Sequence, residues 1–166
     1  MGLTAFDEAI AVRPDGDGRY QVLPDERFAL YSPGDAVPPA VNGGVLIATV
    51  LRAVLDGSPH PHPIATSAHF LRVAALAPAQ VQVSWLRQGR TAATARAALV
   101  QSGQPVLEVT VTTGALGADP AAVRAESAEL SGGWFDEEAE VWDSDGALVA
   151  QSRQIARVGR GPGARG

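Results

Sequence analysis

The sequence predicts an α+β domain in which one antiparallel sheet curls around a single apolar helix. Its basis is a helix-start signal, Asn42-Gly43-Gly44, that opens an almost unbroken apolar run from Val45 to Leu55. Beside it stand four later stretches with the strict alternation of half-buried strands. In the helix only Thr49, Arg52 and Asp56 are polar. Their spacing of three and four puts them on one narrow stripe, so the rest of the surface must be enclosed. At about 14 residues the segment is too short to span a bilayer, which requires roughly 20.

Each element follows from local chemistry. Residues 4–12 alternate loosely and end in the turn cluster Arg13-Pro14-Asp15-Gly16-Asp17-Gly18, from which Arg19–Leu23 returns as a strand. The Asp-Gly-Asp pattern lacks the later ligand positions of a calcium loop and reads as a plain turn. From Pro24 to Pro39 prolines punctuate a loop that leads into the helix. Asn42 is a good N-cap, and Asp56-Gly57 supplies the stop. Two glycines at the first helical positions cost helix stability. They are tolerated either where a ligand must approach bare N–H donors or where the helix must pack tightly.

Ser58-Pro59-His60-Pro61-His62-Pro63 reads as an extended connector; its histidines lack a carboxylate partner for a metal. Strands follow at Ile64–Arg72, Gln80–Arg87, Ala92–Gln101 and Pro105–Thr113, with His69 as a satisfied neutral histidine within the first. Gly114–Gly133 is rich in Ala and Glu, and Asp119-Pro120 suits the start of a short helix through Leu130 or a linker. Trp134–Asp143 and Ala147–Val158 flank the hairpin turn Ser144-Asp145-Gly146. The last residues, Gly159–Gly166, read as a disordered tail. Leu99–Glu108 resembles Val141–Gln151 with one residue inserted, an internal repeat in which the terminal hairpin copies the last two strands of the first unit.

Composition narrows the function. A net charge of -5 over 166 residues argues against nucleic acid, and the absence of cysteine removes thiolate nucleophiles, disulfides and zinc–thiolate sites. The N-terminus shows no secretory or myristoylation pattern, so a cytoplasmic protein without membrane contact is expected.

The order strand, Asn-Gly-Gly helix, four antiparallel strands resembles the hot-dog fold. Asn42-Gly43-Gly44-Val45-Leu46, His69-Phe70-Leu71-Arg72, Leu86-Arg87-Gln88-Gly89-Arg90 and Val100–Val106 resemble the acyl-CoA thioesterases that carry two hot-dog units in one chain. The likeness covers residues 4–114, and 133–154 resembles the end of the second unit. It implies a hot-dog domain over 1–116, a linker or short helix over 117–132, a β-hairpin over 133–158 and a tail over 159–166. Most of the second unit has no counterpart. Of the Asp, the Ser or Thr and the Gln that orient water in that family, only the Gln has a match, at Gln154 with Gln151 as the alternative.

The resemblance implies hydrolysis of acyl-CoA or a related carrier thioester in fatty acyl metabolism, with no metal and no cofactor apart from the CoA of the substrate. Gly43 or Gly44 would polarise the carbonyl, and Asn42 and Gln154 would position water. Thr49, Ser67, His69 and Arg90 are the candidates for substrate contact. The alternative is a non-catalytic acyl-thioester or lipid-binding module, or an inactive shortened remnant. A homodimer is expected through the edge of the 64–72 strand, whose partner in the second unit is missing.

Overall fold

The computed structural model of the chain describes residues 2–31, 38–116, 120–129 and 134–157. The expected tail over 159–166 lies outside these residues. Among them, a short helix α1 (Ala5–Ala9) precedes strands β1 (Arg13–Pro14) and β2 (Arg19–Val22). The short strands β3 (Ala29–Leu30) and β4 (Ala40–Val41) lead into the central helix α2 (Gly43–Asp56). Strands β5 (His62–Phe70), β6 (Ala79–Gln88), β7 (Ala92–Gln101) and β8 (Gln104–Gly114) follow, then β9 (Pro120–Glu129), β10 (Trp134–Asp143) and β11 (Leu148–Arg157).

The strands form a 9-stranded sheet in the order β1-β2-β6-β7-β8-β5-β11-β10-β9, with β3 and β4 paired separately. This is the expected sheet wrapped around one helix. Alternation decides what meets α2. Val50, Ala53 and Val54 of the helix are fully buried with Val81, Ala95, Leu99, Leu107 and Val111 of the strands. Val109 is buried too, while Phe70 and Val83 pack on the margin of this cluster. The opposite face of the same strands carries Thr110, Thr112 and the Arg96–Glu108 ion pair (2.8 Å).

The structure corrects the sequence reading in three places. Ala5–Ala9, within the loosely alternating stretch, is a helix: Thr4 and Asp7 form a reciprocal capping box that satisfies its first N–H groups. Pro120–Glu129, expected as linker or short helix, is a strand paired along its length with β10. Cross-strand pairing there overrides the helical propensity of its alanines and glutamates.

The third correction concerns the expected dimer edge. β5 is not exposed, because β11 of the same chain pairs with it in parallel, Gln151 opposite Ala65 through Ile155 opposite His69. The physical reason lies in what the chain lacks. Removing one strand from between two antiparallel neighbours leaves those neighbours parallel, and here they close on each other directly. A dimer through the 64–72 edge is thereby ruled out for this fold.

Candidate active site at the start of the central helix

The chain is pinned as it reaches α2. Val41 N–H donates to Ala74 O (2.9 Å), and Asn42 N–H donates to Phe28 O (3.1 Å). Asn42 then caps the helix: its Oδ1 accepts from Gly44 N–H (2.9 Å) and Val45 N–H (3.3 Å). Because both partners are donors, the side-chain amide has only one possible orientation, oxygen inward and Nδ2 outward. Two consequences follow for the expected donors. Gly44 N–H is already taken by the cap, whereas Gly43 N–H is not bound by it. The cap leaves the Nδ2 of Asn42 as a donor that it does not use.

The two glycines differ in their surroundings. A Cβ at Gly43 would lie 3.0 and 3.2 Å from atoms of the Phe70 ring, so the absent side chain lets the ring lie against the first helical turn. At Gly44, which is exposed, a Cβ would meet only Asn42 Oδ1, at 3.2 Å. The packing explanation therefore holds for Gly43. Gly43→Ala is expected to forfeit its helix-propensity gain of up to about 1 kcal/mol to the displaced ring. In a Phe70→Leu background the same change should raise the melting temperature. A double-mutant cycle by thermal melting checks this coupling.

Gln154 is brought to this corner. Its register position is opposite Ala68, buried on β5, and two residues short of Phe70. Standard strand spacings put its Cα about 8 Å from that of Phe70. Across from Gln154 on β10 stands Glu137. Asp136 and Glu138 bond Arg153 and Gln151 on the outer face of the sheet, Arg153 Nε donating to Asp136 Oδ1 at 2.9 Å and Gln151 Nε2 to Glu138 Oε1 at 2.8 Å. Strand alternation then turns the half-buried Glu137 toward the helix side. Sequence reasoning missed Glu137. It sits in an acidic run, Asp136-Glu137-Glu138, that reads as a solvated face, and only the register separates it from its neighbours.

The other candidates lie elsewhere. Thr49 is buried, and its hydroxyl donates to Val45 O (2.8 Å) within the helix. Ser67 lies on the outer face, where with Thr110, Thr112 and Arg153 it lines an open cleft of about 340 Å³. His69 is exposed on that face too, in register between Glu108 and Ile155. Arg90 is at the far end of the helix, where His60 Nε2 bonds Gly89 O (3.0 Å) and Gly57 approaches Trp85. A helix of this length separates it from Asn42 by about 20 Å. Asn42 and Gly43 thus adjoin Phe70, with the backbone of Gln154 on the neighbouring strand two register positions away; Thr49, Ser67, His69 and Arg90 lie elsewhere. Among the described residues no group of three or more His, Cys, Asp or Glu could hold a metal ion, and no helix is long and apolar enough to cross a membrane.

A sheet wrapped on one buried helix that starts at an Asn cap and two glycines is the architecture of a hot-dog protein. The family description "acyl-CoA thioesterase N-terminal domain" matches residues 32–114, half of the chain, and the protein belongs to that family. Among solved structures, a Thermobifida fusca protein provisionally named thioesterase II is 24% identical, with a TM-score of 0.76 over 95% of this chain and 100% of its own. A conserved hot-dog protein of unknown function from Alicyclobacillus acidocaldarius is 17% identical (TM-score 0.64; 96% of this chain, 100% of its own). The acyl-CoA thioesterase II TesB2 of Mycobacterium marinum is 12% identical (TM-score 0.65; 98% and 100%). At these identities the likeness is one of fold. No curated protein sequence matches the chain.

Proposed function

We propose that this protein hydrolyses acyl thioesters, acyl-CoA foremost, at the start of α2. The observation that carries the reading is the fixed orientation of Asn42. With its oxygen held in the cap, Asn42 keeps Nδ2 as a donor, and in the proposed site this donor and Gly43 N–H, which the cap does not use, receive the oxyanion, in a chain of the acyl-CoA thioesterase family. This moves Asn42 from holding water, its sequence-based role, to polarising the carbonyl.

In the proposed reaction a water attacks the thioester carbon, and its proton passes to the Glu137 carboxylate. The tetrahedral oxyanion rests on Gly43 N–H and Asn42 Nδ2. As it collapses the C–S bond breaks, and the leaving thiolate takes the proton back from Glu137. Gln154, between Glu137 and Phe70 in the register, holds the water. Strand spacings put the Cα of Glu137 about 12 Å from that of Phe70, a gap that a side chain, a water and the reacting carbonyl fill. Glu137 thus stands in for the carboxylate that the resemblance reported missing. The substrate is an acyl group on CoA or on a carrier; no cofactor is invoked beyond the CoA it brings, and the setting is the cytoplasm.

The experiment follows free-thiol release from acyl-CoAs by the wild type, Glu137→Gln and Gln154→Ala. Loss of a general base should lower kcat roughly 10²-fold in Glu137→Gln. KM should stay within a few-fold. An unchanged kcat in both variants removes the hairpin from the chemistry.

A further inference from the structure

We propose that the free edge of β9 is a self-complementary dimer surface, taking a second copy of this chain about a two-fold axis at Ala125. Closure of β5 by β11 leaves the sheet with two edges among the described residues, β1 and β9. β1 is only two residues long and ends in a proline, so it offers little backbone to pair. β9 runs ten residues, and Arg124, Ala125 and Glu126 are exposed in succession. Proline stands only at its first position, and its outer row of backbone groups has no neighbouring strand among the described residues.

The charges on this edge are arranged for an identical partner. Arg124 and Glu126 flank Ala125 on one face of the strand and bond each other, both about two-thirds exposed. Antiparallel pairing of two copies centred on Ala125 puts each Arg124 opposite Glu126 of the second copy, twice by symmetry. Edges that repel partners carry like charges; this one carries opposite charges two residues apart, which an antiparallel copy matches.

The surroundings favour the same partner. Arg124 lines an outer-face cleft with Glu126, Glu138 and Glu140, one guanidinium for three carboxylates. Within the chain Glu126 stands directly across from Glu138, a like-charge cross-strand pair, while Arg124 stands across from Glu140. In the dimer each Glu126 gains Arg124 of the second copy on its open side. Rows of Glu140, Arg124, Glu126 and Glu138 then run across the junction, each guanidinium between two carboxylates. The partner relieves a repulsion that the monomer retains.

Sedimentation equilibrium on the full chain tests this. The wild type is expected to dimerise at micromolar concentration. Arg124→Glu and Glu126→Arg, each setting like charges together at two symmetric positions, should weaken the dimer roughly tenfold or more. The double variant R124E/E126R restores opposite charges and should recover wild-type association. Mixing the two single variants should give a heterodimer tighter than either parent. Circular dichroism melts verify that these exposed-site variants remain folded, and the mixing arm uses only chains that do. A wild type monomeric at about 50 µM overturns the proposal. So does a dimer insensitive to both single changes, or one weakened by them and not recovered in the double variant or the mixture. Hydrolysis by the isolated chain is read separately, so a failed dimer leaves the thioesterase proposal standing.

Discussion

Asn42→Asp is expected to keep the fold and lose the activity. A carboxylate accepts from Gly44 and Val45 N–H as the amide oxygen does, and its charge suits the positive end of the helix. Stability should therefore hold or rise slightly. The outward donor, however, becomes an acceptor bearing negative charge beside the position of the oxyanion. Loss of one such donor lowers turnover about 10²–10³-fold, and the added charge deepens the loss. Asn42→Ala is the informative contrast. It removes the donor and the cap together, lowering activity and also costing about 1 kcal/mol of stability. Thiol-release kinetics beside thermal melts separate the two effects. Equal activity in Asn42→Asp and wild type would mean that the amide donor takes no part.

Leu107→Ala should have the largest effect on stability. Leu107 is fully buried on β8, in register with Phe70 on one side and Leu99 on the other. Truncating a buried leucine to alanine costs about 2–5 kcal/mol, through lost burial and the cavity left behind. For a domain of this size that corresponds to a melting temperature lower by roughly 5–15 °C. The site should feel it too. Leu107 is the β8 neighbour of Phe70, whose ring lies against Gly43, so a cavity there lets the ring settle away from the first helical turn. Turnover by the fraction that remains folded is expected to fall as well. Denaturant unfolding and kcat measured at a temperature where the variant is folded distinguish these contributions.

The helix was legible almost to the residue because its signals are local: an Asn cap, an apolar run and an Asp-Gly stop. The strands from β5 to β8 were legible for the same reason, since alternation is written into consecutive residues. What escaped was decided by distant partners. Residues 120–129 have a helical composition, and only their pairing with β10 makes them a strand. The parallel junction of β11 with β5 joins segments far apart in the chain, so no window of sequence contains it. The site divides along the same line. The cap and its glycines could be read directly, while the packing role of Gly43 needed the position of the Phe70 ring. Glu137 could not be singled out from Asp136 and Glu138 until Arg153 and Gln151 showed which way each one faces.

Thiol release from a panel of acyl-CoAs of increasing chain length, with binding of the same compounds measured in parallel, tests the assignment of hydrolysis most directly. Release above the uncatalysed rate for at least one acyl-CoA, abolished in Asn42→Asp while binding persists, is the expected result. Measurable binding across the panel with no release above background would contradict it and make the protein an acyl-thioester binding module.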